Sequence, residues 1–103
     1  MAKQMKFGDI SPFAQHRSVL LDYYGAARIL RTATASMWTS GVPFSLAKLG
    51  YLDEDHLEIF KELLNHYLTY GENDDAFMRV GRECKERWDK ENMPATETDE
   101  DDD

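Results

Sequence analysis

The stretch that decides the fold reads DEDHLEIFKELLNHYLTYG from Asp53 to Gly71. Asp53 is a good helix N-cap, and the acids at 54 and 55 occupy a first turn in which the helix dipole favours negative charge. Gly71 is typical of the residue just past a helix end. Between these signals, apolar side chains recur every three or four residues, which predicts an amphipathic helix over 54–70. The apolar face consists of Leu57, Phe60, Leu63, Leu64, Tyr67 and Leu68.

The residues that follow predict another helix over 74–92. Asn73 is the expected N-cap, and Pro94 forbids continuation of the helix. The apolar positions lie four, three and four residues apart, at Phe77, Gly81, Cys84 and Trp88. The other faces carry oppositely charged pairs at a spacing of four, which is typical of a solvated helix surface.

Upstream, residues 12–40 carry the pattern of one long helix. Ser11 as N-cap and Pro12 at the first helical position begin it, and Gly41 followed by Pro43 ends it. Such a helix would be about 42 Å long, so a bend is expected near Gly25 or within 32–36. Its predicted core stripe consists of Val19, Tyr23, Ala26, Leu30, Ala33 and Met37.

No segment shows the apolar–polar alternation of a β-strand. The predicted fold is all-α: a small bundle of three main helices, at about 12–40, 54–70 and 74–92, with a short helical turn near 44–49 closed by Gly50. The predicted organisation is an N-terminal arm over 1–10, a bundle domain over 11–93 and a disordered acidic tail over 94–103.

The net charge of −8 is unevenly distributed along the chain. Residues 97–103 hold six acidic side chains and no basic or apolar one, so the other 96 residues together carry only −2. A segment of that composition cannot bury enough surface to offset its ordering entropy, which is why we expect disorder there. The tail either serves solubility or binds a basic surface, including arginines of the first helix.

A second stripe on the first helix mixes aromatic side chains with arginine, the residue types enriched at interface hot spots. As an exposed face, it is predicted to bind a partner or a second copy of the chain. Two alternatives stay open: a central helix packed on both sides with arginines at its edges, and stacking against a single-stranded nucleic acid. The stripe consists of Phe13, Arg17, Leu20, Tyr24, Arg28, Arg31 and Trp38.

Candidate catalytic and metal-ligating residues are few. Glu62 and His66, four residues apart, would supply half a metal site, but no further ligand lies nearby in the sequence. Cys84 lies on an apolar face without a neighbouring histidine, which predicts a buried structural thiol. Because phosphate-binding glycine loops, nucleophile elbows and dinucleotide fingerprints are lacking, we expect no cofactor, no metal and no catalysis.

Nucleic acid and membrane are not the expected partners. A helix-turn-helix over 44–67 would set the acids at 53–58 against phosphates, which is electrostatically unfavourable. No apolar run approaches the ~20 residues of a membrane span, and residues 1–6 lack the apolar core of a signal peptide. The single cysteine favours a reducing cytoplasm.

Together these observations favour a small, non-catalytic, cytoplasmic α-helical interaction module. It would be an adaptor, assembly factor or inhibitor that binds another protein or itself as a homo-oligomer, and a phage or mobile-element origin is a hypothesis about its source. The alternative is a nucleic-acid-associated regulatory protein that uses the basic first half of the chain, with the acidic tail as a mask or mimic.

Overall fold

The computed structural model describes residues 10–92, and within that range every regular element is helical. The all-α prediction is therefore confirmed, with three long helices, of which the second and third have nearly the predicted bounds. The acidic tail, and the arm apart from Ile10, lie outside the described residues. The α-helices are α1 (Pro12–Gln15), α2 (Arg17–Leu20), α3 (Gly25–Trp38), α4 (Glu54–Tyr70) and α5 (Asp75–Asn92), with 3-10 helices at Leu46–Tyr51 and Gly71–Asn73.

The predicted helix over 12–40 is wrong as a single element, because three helices occupy its span. The chain turns at His16 between α1 and α2, and again over 21–24 before α3 begins at Gly25. The expected bend near Gly25 is thus a complete break. The predicted turn near 44–49 is a 3-10 helix that continues through Gly50 to Tyr51 instead of ending there.

Two guanidinium groups stabilise the break after α2. Arg31 of α3 donates to the backbone carbonyls of Leu20 and Asp22 at 3.4 and 2.6 Å. Arg87 of α5 donates to the carbonyl of Leu21 at 2.9 Å. Carbonyls at a helix end lack helical partners, and cationic donors both satisfy them and complement the helix dipole. The break therefore depends on side chains from two other helices.

α3 and α5 pack closely where Trp38 meets Gly81. A Cβ atom at Gly81 would lie 2.7 Å from Cδ1 of Trp38, so only glycine allows this approach. Phe77, Gly81 and Cys84 are buried as the spacing predicted, and Trp88 is partly buried. Trp38 packs here against the hydrophobic core.

Two residues predicted to face the core are instead exposed. Leu68 is 69% exposed, because α4 packs mainly on α1 and α3 and buries a narrower face around Phe60 and Leu63. Tyr23 is 72% exposed, because it lies in the break rather than on a helix, with its ring 4.7 Å from the Arg87 guanidinium. Helical periodicity does not apply across an interrupted helix.

The buried carboxylate of Asp74 joins three helices. Its Oδ1 accepts from the backbone N–H of Ala76 at 2.9 Å, at the start of α5. Its Oδ2 accepts from the hydroxyl of Ser11, the N-cap residue of α1, at 2.5 Å. The Nε2 atom of His66 in α4 lies 3.0 Å from the same oxygen, without the alignment of a hydrogen bond. The starts of α1 and α5 are thereby fixed relative to each other, beside the C-terminal part of α4.

Ser11 and Asp53 occupy the N-cap positions predicted for them, but only Ser11 caps the backbone with its side chain. The Ser11 hydroxyl accepts from the N–H of Phe13, as expected for an N-cap. At α5, Asp74 performs the capping expected of Asn73, because the helix begins one residue later. At α4, Asp53 occupies the N-cap position, but its carboxylate contacts His56 instead of capping the backbone.

Candidate interaction groove

A groove of about 390 Å³ lies between the N-terminal half of α3, the C-terminal end of α5 and residues 43–48. The α3 side of the groove, from Gly25 to Thr32, presents residues spaced three or four apart, and these share one helix face. The groove combines two aromatic rings with two basic side chains: Phe44, Trp88, Arg28 and Lys48. Its volume falls within the range of small ligand or peptide sites.

The aromatic rings of the groove are held in place by the core. Phe44 and Trp88 are each partly buried and pack against the core cluster. Ile29 and Thr32 of α3 lie between these segments and are also partly buried. An apolar surface that is anchored before binding loses little conformational freedom on contact with a partner.

The charges of the groove are not balanced. Its acidic side chain, Glu91, accepts from Nη2 of Arg31 at 2.6 Å, whereas Nε of Arg28 is 4.0 Å from the same oxygen. The buried Arg31 therefore neutralises Glu91 and leaves the 60%-exposed Arg28 side chain with excess positive charge. Lys48 lies 5.8 Å from the Tyr51 ring centroid, and within residues 10–92 it has no carboxylate at ion-pair distance.

The stripe predicted as a contact face is not one continuous surface. Phe13, Leu20 and Arg31 are buried, with at most 1% of each residue exposed. Trp38 is partly buried against Gly81, and its indole N–H has no hydrogen-bond partner among the described residues. Phe13, Leu20 and Trp38 fit the alternative of packing on both sides, whereas Arg31 is buried instead of lying at an edge, so the prediction of one exposed stripe is corrected.

The three remaining residues of the stripe are exposed but lie in different environments. Arg17 forms two hydrogen bonds of 2.8 Å with the Glu83 carboxylate of α5. This pairing lowers the pKa of Glu83 and raises the pKa of Arg17, because it stabilises both charged forms. Tyr24 contacts α4, and Arg28 lies in the groove. Of the seven predicted contact residues, the structure therefore brings only Arg28 to the candidate site.

Tyr24, His56 and Asp53 form a hydrogen-bonded row between the starts of α3 and α4. The Tyr24 hydroxyl lies 2.9 Å from Nε2 of His56, and Nδ1 of His56 lies 2.5 Å from the Asp53 carboxylate. The hydrogen bond to His56 lowers the pKa of Asp53. Desolvation, followed by the negative charges of Asp22 and Asp53, raises the pKa of Tyr24. A phenol with a raised pKa stays protonated at neutral pH, and the row connects the start of α3 with the start of α4.

The residues considered for metal binding or catalysis are separated in the fold. The Glu62 carboxylate lies 2.8 Å from His16, whereas His66 lies beside Asp74. Across residues 10–92, no group of three potential ligands assembles for a metal ion. Burial raises the pKa of Cys84 to about 12, so its thiol stays protonated and weakly nucleophilic. In the same part of the chain, no helix combines the length and apolar character needed to cross a bilayer.

The sequence does not assign three residues of the groove to a binding surface. Phe44 and Lys48 lie in the predicted helical turn near 44–49, which has no predicted contact face, and Trp88 is predicted only as a core position. They meet Arg28 because α3 and α5 run in opposite directions, with Trp38 near Gly81 and Arg28 near Glu91. Their proximity is a property of helix packing.

Comparisons of the chain with protein-family models, with curated proteins and with solved structures found no match.

Proposed function

We propose that this chain is a small, non-catalytic interaction module, acting as an adaptor, assembly factor or inhibitor, whose groove binds a segment of a partner protein. The observation that carries the proposal is the excess positive charge of Arg28 and Lys48 in a groove that also contains Phe44 and Trp88. Core-anchored apolar surface beside unneutralised cations suits a segment that combines acidic with aromatic or aliphatic side chains.

We place the module in the cytoplasm, because its single cysteine is a free, buried thiol and thiols stay reduced in that compartment. A homo-oligomer is a further outcome, in which the partner is a second copy of the chain. The mass of the protein in solution at two concentrations tests this outcome. A dimer abolished by Arg28→Ala would identify the groove as the contact between copies.

Selection from a displayed peptide library tests the proposed partner chemistry. The bait is the full chain, and the matched baits are the double variant Arg28→Ala with Lys48→Ala and the control Lys61→Ala, an exposed lysine on α4. We expect the selected peptides to be rich in acidic and aromatic or aliphatic residues and to bind the control as tightly as wild type. Removing two interfacial cations should weaken binding about tenfold, which corresponds to about 1.4 kcal/mol. Peptides that bind the double variant equally well would contradict the groove assignment.

The competing function is binding of a single-stranded nucleic acid. Aromatic rings beside arginine and lysine also suit base stacking and phosphate contact. Fluorescence anisotropy with a labelled oligothymidylate at about 50 and 200 mM salt distinguishes the two functions, because phosphate binding weakens steeply with salt. We expect no binding at either concentration. Salt-sensitive binding that is lost in the double variant would overturn the proposal in favour of the nucleic-acid function.

A further inference from the structure

The groove lies beside the last described residue of the chain. Asn92 lines it and donates from Nδ2 to the carbonyl of Trp88 at 2.9 Å. Residue 97 follows Asn92 by five positions, a distance of at most about 17 Å in an extended chain. Residues 97–103 hold six acidic side chains. A high density of negative charge is therefore tethered within reach of Arg28 and Lys48.

A second groove on the molecule is less suited to an acidic segment than the groove that contains Arg28 and Lys48. It lies between α2 and α5, and its acidic and basic side chains balance. Arg17, one of its cations, is already bound to Glu83 through two hydrogen bonds. A further acidic segment would gain little charge neutralisation there. The charged residues of that groove are Arg17, Arg87, Lys90, Glu83, Glu86 and Asp89.

The arginines of the first predicted helix also differ in how far a nearby carboxylate neutralises their charge. Arg31 is buried and bound to Glu91, and Arg17 is bound to Glu83, so neither offers an unneutralised charge. Arg28 shares Glu91 only at 4.0 Å, and Lys48 has no ion-pair partner within residues 10–92. Among the arginines of the first predicted helix, the one with excess positive charge is therefore Arg28, in the groove next to Asn92.

We infer that residues 97–103 of the same chain bind this groove through Arg28 and Lys48, and that a partner segment must displace them. Tethering raises the effective concentration of the acidic segment to the millimolar range, so weak contacts suffice for occupancy. Contacts between exposed charges are screened by salt, so occupancy should fall as ionic strength rises. Only the competition with a partner rests on the proposed function; the binding of the segment does not.

Zero-length cross-linking of the full chain with a water-soluble carbodiimide tests this inference. The reagent joins a lysine ammonium to a carboxylate as an amide and is itself converted to its urea, and it acts only on groups in contact. We expect an amide between Lys48 and a carboxylate within 97–103 at low salt, and severalfold less of it at high salt. Lys61, similarly exposed on α4, is the reference lysine and should not form this product. Equal yields at Lys48 and Lys61 would overturn the inference.

The variant Arg28→Ala separates binding from mere proximity. It leaves the tether and Lys48 unchanged, so a random encounter predicts the same yield, whereas binding predicts a severalfold loss. Mixing ¹⁵N-labelled with unlabelled chain identifies products formed within one chain. Products found mainly between chains would overturn the binding within one molecule.

A second measurement does not depend on cross-linking chemistry. NMR spectra of the full chain are compared with those of a variant whose six acids are replaced by amides. We expect shifts at Lys48 and at the Trp88 indole, but not at Lys61; shifts confined to 93–103 would overturn the inference. If residues 97–103 do not bind while selected peptides still bind the groove, the inference fails and the proposed function stands. If residues 97–103 bind but no selected peptide does, the inference stands and the proposed function fails. The six changes are Glu97→Gln, Asp99→Asn, Glu100→Gln, Asp101→Asn, Asp102→Asn and Asp103→Asn.

Discussion

The two ends of the α3–α5 pair differ sharply in packing. At one end, Gly81 faces Trp38 so closely that there is no room for a Cβ atom. At the other end, a Cβ atom at Gly25 would meet nothing within 4 Å, and charged side chains line an open groove. The same two helices thus provide the close packing that stabilises the fold and the accessible surface that suits binding.

Two arginines three residues apart on α3 show how burial separates these roles. Arg31 is 1% exposed and bound to Glu91 and two backbone carbonyls, whereas the side chain of Arg28 is 60% exposed. Both approach the same Glu91 carboxylate, which neutralises the nearer one. One arginine is therefore part of the folded core, and the other remains accessible to solvent.

The largest expected effect is that of Arg31→Ala. It leaves a cavity where the buried side chain stood and leaves the carbonyls at the end of α2 without their donor, so we expect a loss of about 2–5 kcal/mol in the free energy of unfolding. Arg28→Ala is the matched control, with a change within about 0.5 kcal/mol for a surface position. Urea denaturation followed by far-UV circular dichroism measures both. If Arg31→Ala does not fold, Arg31→Lys should show an intermediate loss. Equal small losses for Arg31→Ala and Arg28→Ala would mean that the two arginines do not differ in role.

A smaller effect is expected for Gly81→Ala. The added methyl group overlaps the Trp38 side chain, and overpacking of this kind costs about 1–3 kcal/mol. Gly25→Ala is the matched substitution at the open end, where a compatible backbone should make alanine neutral or stabilising by up to about 1 kcal/mol. Thermal unfolding of both variants compares the two ends directly. A stabilising Gly81→Ala would show that the helices can separate there without cost.

The smallest effect concerns the pH dependence of the Arg17–Glu83 pair. Because the folded state lowers the pKa of Glu83, the pair stabilises the fold above the ordinary pKa of 4.5, and this contribution is lost as pH falls through the lowered value. Glu83→Gln should therefore reduce the urea midpoint slightly at pH 7 and not at all in strong acid. Arg17→Ala should remove the same pH dependence, and the double variant should add nothing further. A difference from wild type that persists in acid would assign the effect to packing instead.

The helices that the sequence predicts well are those with complete local signals. α4 and α5 have acidic first turns, regular apolar spacing and a definite end at Gly71 or before Pro94. The sequence predicts one helix over 12–40 because residues 13–24 contain neither proline nor glycine. Its interruption places Tyr23 in solvent and Arg31 in the core, the reverse of the predicted faces.

The candidate site was the less predictable part of the molecule. Arg28 was a predicted contact residue, but Phe44, Lys48 and Trp88 join it only because α3, α5 and residues 43–48 converge. Which cations of a surface stay unneutralised also depends on residues that are far apart in the chain. Whether an arginine is available depends on which distant acid reaches it, as Glu83 reaches Arg17 and Glu91 reaches Arg31.

The sequence by itself determined the helical class, the extents of α4 and α5, the capping role of Ser11 and the concentration of acid over 97–103. These properties follow from interactions among neighbours in the chain or from composition alone. Only the tertiary structure decided where α2 ends and which arginine is buried. Both depend on hydrogen bonds between residues far apart in the chain, such as Arg87 with Leu21, and no local pattern encodes such a contact.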